Sequence, residues 1–300
     1  MLKTKPLIEQ HFHGAFGVDF NTATADEILE MSKMLYKKGI GGIFPTLVTD
    51  TVENIKRQID VIKTVAKKQN SHMARILGIH LEGVFLNPKK KGIHNEKHFL
   101  MPTPENFKQL DDEIIKIVTL APEQDLGLIE YLRKRGVKIQ AGHCVSGDLT
   151  RCDGVTHLFN AMGEINHRET KTALSALISE HIYTEIIADG NHLSDDILKL
   201  IFRTKPVEKI LLVSDCLPIT ESKIKHTIFA DEEIFYDGEK ATSKTGTLAG
   251  STKLLPEIIK SLGEKGYFTP QLIQNSYDYH CINTDKFIEI DDKYNVSEVN

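Results

Sequence analysis

Gly78-Ile79-His80-Leu81-Glu82-Gly83 sets one carboxylate at the end of a short apolar run and follows it at once with glycine. The run from Ile76 to Leu81 has the length and character of a buried strand, and Gly83 permits a sharp turn because it carries no Cβ. A carboxylate at such a strand end lies at the lip of a core, where it needs a metal, a cation or a proton beside it. Alone, Glu82 is better read as an N-cap or a simple ion pair. What decides the fold is that the pattern recurs on both sides.

Upstream, Leu7 to Phe12 reads as a first strand running into His11-Phe12-His13-Gly14. Alternate residues of a strand share a face, so His11 and His13 point the same way and suit one metal ion, although an HxH triplet by itself is a weak signal. Thr24-Ala25-Asp26-Glu27 is a capping-box arrangement, followed by Ile28, Met31 and Leu35 at helical spacing and closed by Gly39. Ile43 to Val48 repeats the strand, and Ile55, Ile59, Ile62 and Ala66 repeat the helix. Downstream of Glu82 a long loop, Val84 to Pro104, carries Lys89, Lys90 and Lys91, read as a solvated face. It also carries His94, which fits a surface residue or a polariser of a substrate carbonyl.

Further strands follow at Ile114 to Leu120, at Val137 to Ala141 with His143 behind it, at Val155 running into His157, at Ile182 to Ala188 ahead of Asp189-Gly190-Asn191-His192, and at Ile210 to Ser214 ahead of Asp215. Eight strands interleaved with helices predict an α/β fold, a (β/α)8 TIM-type barrel, which keeps its catalytic groups at the C-terminal strand ends. On this reading residues 1–285 form the barrel, with a β-hairpin insertion near 222–247 turned at Asp237-Gly238, and residues 286–300 form a short tail. The lip then collects His11, His13, Glu82, His143, His157 and Asp215 from strands one, three, five, six and eight. Imidazole and carboxylate donors suit Zn2+ or Fe2+, and a bridging Glu82 would hold two ions; that is hydrolytic machinery.

The chain has 300 residues and a formal charge of −5 with scattered Lys and Arg, which suggests neither nucleic acid nor an anionic membrane as partner. No apolar run approaches the ~20 residues of a membrane span, and the N-terminus lacks the features of a signal peptide, so a cytoplasmic location is expected. Cys144, Cys152, Cys216 and Cys281 show no CxxC pairing. Cys144 and Cys216 lie beside proposed site residues, where a thiolate ligand or small buried filler would fit; filler is the preferred reading.

His80-Leu81-Glu82-Gly83, Lys91-Gly92-Ile93-His94-Asn95, Ala141-Gly142-His143, Thr156-His157-Leu158-Phe159-Asn160-Ala161-Met162, His167-Arg168-Glu169, Ile187-Ala188-Asp189-Gly190-Asn191-His192, Val213-Ser214-Asp215 and Gly246-Thr247-Leu248-Ala249-Gly250-Ser251 resemble the ordered motifs of N-acetylglucosamine-6-phosphate deacetylases, in the amidohydrolase superfamily. The resemblance runs from about Pro6 to about Asp285. It implies that Glu82, His143 and His157 bind one metal, that His11 and His13 add a second, and that Asp215 carries a proton from water to the departing amine. It implies further that His94 polarises the acetamide oxygen, and that Asn160, the Ala161 backbone, His192 and Leu248 orient the sugar and phosphate. Arg168 resembles an arginine that reaches the phosphate in a neighbouring subunit, making the active unit a homodimer.

Departures are visible too. Only ten residues precede His11, so the family's flanking β-sandwich is expected to be missing or strongly reduced. The interval from His143 to His157 is too short for a full helix. Val84 stands where the family has proline, and Thr170 and Lys171 follow His-Arg-Glu in place of proline and glycine. The expected reaction is removal of the N-acetyl group from an amino-sugar phosphate, most simply N-acetylglucosamine 6-phosphate. The alternatives are another acetamido sugar such as N-acetylgalactosamine 6-phosphate, or a noncatalytic sugar-phosphate-binding paralogue.

Overall fold

Eight strands lie side by side in chain order, every neighbouring pair parallel. They are β1 (Leu7–Phe12), β2 (Ile40–Val48), β3 (Ile79–Glu82), β4 (Ile115–Leu120), β5 (Lys138–Ala141), β6 (Gly154–Val155), β7 (Tyr183–Ile186) and β8 (Ile210–Leu212). The computed structural model describes residues 1–300. The two ends of the sheet meet through the backbone. Asp215 N–H donates to the His11 carbonyl at 2.9 Å, and His13 N–H to the Cys216 carbonyl at 2.9 Å. The sheet thus curls into a barrel, and the hydrogen bonds that join its ends are made by the residues that carry His11, His13 and Asp215.

The helices form where caps and apolar spacing coincide. In α1 (Ala25–Lys37), Thr24 and Glu27 cap each other reciprocally, and Ile28, Met31 and Leu35 are buried against the sheet. In α2 (Val52–Lys68), Thr51 accepts from Asn54 N–H and the buried stripe is Ile55, Ile59, Ile62 and Val65. The helix expected from Gln124 is shorter, α3 (Leu128–Lys134), because Pro122–Gln124 forms a 3-10 turn and Gly127 enters the left-handed region at φ 99°. As the short interval requires, no helix joins β5 to β6. The outer layer continues with α4 (Thr172–Ile178), α5 (Asp195–Thr204), α6 (Leu255–Glu264) and α7 (Gln271–His280).

Two segments differ from expectation. The insertion after Asp215 is a four-stranded antiparallel sheet: β9 (His226–Phe229), β10 (Glu232–Tyr236), β11 (Ala241–Ser243) and β12 (Leu248–Gly250). The expected turn is present, with Asp237 Oδ1 accepting from Glu239 and Lys240 N–H. A lone hairpin is marginal in water, whereas here Phe229, Ile234, Ala241 and Ala249 pack with Val48, Ile93, Leu217 and Ile219 into a separate apolar cluster. The tail is also ordered: Ile288–Ile290 pairs antiparallel with Leu2–Thr4, so the two ends of the chain form one ribbon.

Candidate metal centre

β3 delivers Glu82 to the mouth of the barrel, buried to 2 %. Gly83 turns at φ 138°, and a Cβ there would collide with Thr49 Oγ1. That close approach matters because the Thr49 hydroxyl accepts Val84 N–H at 3.1 Å and lies 2.8 Å from His94 Nδ1, fixing the imidazole at the rim. Glu82 and Gly83 therefore act together: the carboxylate enters the mouth and the glycine brings the next loop over it.

The two oxygens of Glu82 face different groups. Oε2 lies 3.2 Å from His11 Nε2 and 3.1 Å from His13 Nε2, and Asp215 Oδ1 lies 3.4 and 3.2 Å from the same two nitrogens. Oε1 lies 3.3 Å from His143 Nε2 and 3.1 Å from His157 Nε2, which are 3.1 Å from each other. All six predicted ligands converge, as two groups sharing one carboxylate. Three of them, His143 (φ 48°), His157 (φ 30°) and Asp215 (φ 50°), hold left-handed backbone conformations. Such positions cost about 1–3 kcal/mol each for a side-chain-bearing residue and cluster at functional sites. Here the turn redirects a side chain from the end of its strand across the mouth.

β1 reaches the same result by an irregular route. Its register against β2 shifts between Glu9 and Phe12, so strict alternation fails there. Gln10 and His11 both touch Glu185 on β7, Gln10 Nε2 donating to Oε1 at 2.8 Å and His11 Nδ1 to Oε2 at 2.9 Å. His80, despite its place in the His-Leu-Glu-Gly stretch, is not part of the cluster. It lies in the barrel core with Nε2 2.7 Å from Thr119 Oγ1, and burial pushes its pKa down to about 3. The core-filler reading of the cysteines holds: Cys144 and Cys216 are buried, and burial pushes the Cys144 thiol up to about 12.

A cavity of about 550 Å3 opens above the cluster and is lined by His13, Glu82, His94, His143, His157, Asn160, Ala161, His192, Asp215 and Leu248. His192 is held from behind by Asp189, whose Oδ2 is 2.9 Å from His192 Nδ1. Burial works to raise the Asp189 carboxyl, but the His192 contact and two backbone N–H donors carry it to about 2. Burial and the neighbouring His143 hold His94 well below the usual imidazole range, so it is neutral. Arg168 is exposed on the 163–171 loop and does not line the cavity of its own chain. Lys89, Lys90 and Lys91 are solvated as expected, Lys89 and Lys91 exposed and Lys90 half-buried, and they also line the cavity with no ion-pair partner. The reason is local: Asn87 Oδ1 caps a 3-10 turn at Pro88–Lys90, and the Lys90 carbonyl accepts His143 Nδ1–H at 2.9 Å, drawing the turn onto the site.

No family model matches the chain. Over 272 residues it is 32% identical to the N-acetylglucosamine-6-phosphate deacetylase of Bacillus subtilis (strain 168), covering 86% of this chain and 69% of that protein. This chain belongs to the N-acetylglucosamine-6-phosphate deacetylase family. Another relative of the family member described here is the N-acetylgalactosamine-6-phosphate deacetylase of Escherichia coli O157:H7, 27% identical over 285 residues and covering 88% of this chain and 72% of that one. In three dimensions the deacetylase family member superposes on the N-acetylglucosamine-6-phosphate deacetylase of Thermotoga maritima with a TM-score of 0.90 at 26% identity, covering 98% of this chain and 85% of the other.

The donor set of this deacetylase family member fits divalent cations. Ligand atoms around a tetrahedral ion with bonds of ~2.0–2.1 Å are ~3.3–3.4 Å apart, close to the 3.1–3.4 Å separations here. His11 Nε2 is buried without a hydrogen-bond partner although two carboxylate oxygens face it, an arrangement that suits a shared ion better than a shared proton. Burial disfavours charge on both His11 and Glu82, yet the His11 imidazole is held well above its usual range by Glu82 and Asp215, and Glu82 well below its own by His11. A divalent cation offers the carboxylates the same compensation and displaces those protons.

Proposed function

We propose that the protein hydrolyses the N-acetyl group of an amino-sugar phosphate, with N-acetylglucosamine 6-phosphate giving glucosamine 6-phosphate and acetate. The observation that carries this reading is the shared carboxylate: Glu82 links two imidazole groups beneath a cavity into which Asp215 also opens. Zn2+ or Fe2+, one or two ions per subunit, would be held by His11, His13, Glu82 and Asp215 and by Glu82, His143 and His157. A bound ion of this kind supplies Lewis acidity and lowers the pKa of water.

The residues of the chain do the rest. Asp215 takes the proton from the attacking water and gives it to the amine nitrogen, so that a C–O bond forms, the C–N bond breaks and the proton balances the leaving group. Neutral His94, with the Thr49 hydroxyl donating to Nδ1, presents Nε2–H to the acetamide oxygen as negative charge develops there. Asn160, the Ala161 backbone, His192 and Leu248 orient the sugar. The unpaired Lys89, Lys90 and Lys91 face the anionic end, and Arg168 reaches the phosphate bound by the partner of a homodimer. Residues 1–285 are read as the barrel unit and 286–300 as its closing tail.

Purified protein supplied with Zn2+ or Fe2+ is expected to release acetate from N-acetylglucosamine 6-phosphate; no release from this or related N-acetyl sugars sinks the reading. The 27% identical relative favours testing N-acetylgalactosamine 6-phosphate alongside it. A noncatalytic sensor is the weaker reading, since sugar binding has no use for Asp215. In the same assay, Lys89→Ala/Lys90→Ala/Lys91→Ala should raise KM for the phosphorylated sugar by about tenfold, roughly 1.4 kcal/mol, and leave KM for N-acetylglucosamine unchanged. An equal change for both sugars would return the lysines to the solvent.

A further inference from the structure

β7 supplies none of the six clustered donors, yet Glu185 within it touches three strands that lead to them, β1, β5 and the end of β6. Its carboxylate is fully buried. Oε2 accepts His11 Nδ1–H at 2.9 Å and the His157 backbone N–H at 3.3 Å, while Oε1 accepts from Gln10 Nε2 at 2.8 Å and Gln140 Nε2 at 3.3 Å. No lysine or arginine pairs with it. A buried carboxylate arranged this way is costly unless its neighbours stabilise it, and the imidazole of His11 is the one titratable partner it has.

A neutral imidazole carries one proton, and a partner that captures that proton on Nδ1 leaves Nε2 with a free lone pair. We propose that Glu185 is a positioning residue that locks His11 as the Nδ1–H tautomer, and through it controls occupancy of the His11–His13–Asp215 half of the site. The two halves are supported differently. His11 donates to a carboxylate, His143 donates to the Lys90 carbonyl, and His13 and His157 leave Nδ1 buried without a partner. Glu185 meets the other half only at the His157 backbone N–H, which sets no tautomer, so loss of the carboxylate should weaken the His11 half far more than the His143–His157 half. In Glu185→Gln the side-chain oxygen is drawn to the Gln10 and Gln140 amides, and the amide nitrogen faces His11, favouring a proton on Nε2 where an ion would bind.

The consequence for ions rests on the metal-centre reading above; the tautomer does not. The test uses full-length chain loaded with Zn2+, counting zinc per chain and titrating it away with a competing chelator, with His11→Ala and His143→Ala as references for the two halves. Glu185→Gln is expected to release one zinc at ~10- to 100-fold lower chelator, matching His11→Ala, with the zinc retained in His11→Ala unaffected and the melting temperature held. Two zinc ions retained at wild-type affinity, or both weakened together with the melting temperature, would overturn the proposal. If the wild-type chain holds fewer than two ions, the two-ion reading fails separately and 15N NMR of His11 in the zinc-free chain, titrated upward in pH until the ring carries a single proton, decides. Nδ1–H in wild type and Nε2–H in Glu185→Gln supports the role; the same tautomer in both overturns it.

Discussion

Asp215→Asn is expected to reduce acetate release by about a thousandfold, roughly 4 kcal/mol of barrier, while zinc content stays at the wild-type level. The side chain keeps its shape and an oxygen toward His11 and His13, which lie 3.4 and 3.2 Å from Oδ1. What it loses is the capacity to accept a proton from water and return it to nitrogen. No other carboxylate lining the cavity can take over, because the only one, Glu82, has both oxygens committed to imidazoles. Steady-state rates and metal analysis on one preparation check this. Unchanged turnover would remove Asp215 from proton transfer, and loss of turnover in step with loss of zinc would leave it as a ligand alone.

Glu82→Gln is expected to bring activity to background, at least a thousandfold loss, together with at least one zinc ion per chain. The change is isosteric, but an amide has one acceptor oxygen where the carboxylate has two, and it carries no charge. One imidazole pair would face an N–H2 group, and Asp215 alone would balance the cations. The four buried imidazoles bring lone pairs but no negative charge, so one acid would be left to offset the cations that the native pair of acids attracts. Metal counting and acetate release again supply the check. Two ions retained with activity within tenfold of wild type would show that Glu82 does not bridge.

Much of this was legible in the linear order of residues. Short apolar runs with His or an acid at or just past their ends mark the strands and the end of the barrel to which they deliver polar groups, because a strand has a two-residue period and a barrel has one functional mouth. Less was legible where local pattern and packing disagree. Lys89, Lys90 and Lys91 read as solvated, and they are, but their place at the border of the cavity was not legible because it depends on the His143 contact to the Lys90 carbonyl. Glu185 carried the same signal as Glu82, a lone acid in an apolar strand, but nothing in its neighbourhood of sequence marks His11, 174 positions away, as its partner.

The order of strands was thus legible from residue type and spacing alone, and the same pattern nominated the six donors and the class of chemistry they suit, since these depend on local hydrophobic period and on which atoms bear lone pairs. Tertiary structure decided how the donors divide: which oxygen of Glu82 meets which imidazoles, which histidine backbones strain into the left-handed region, and that the insertion after Asp215 is a sheet rather than a hairpin. Those outcomes depend on distances between segments far apart in the chain, set when the barrel closes and His11 and Asp215 become hydrogen-bonded neighbours.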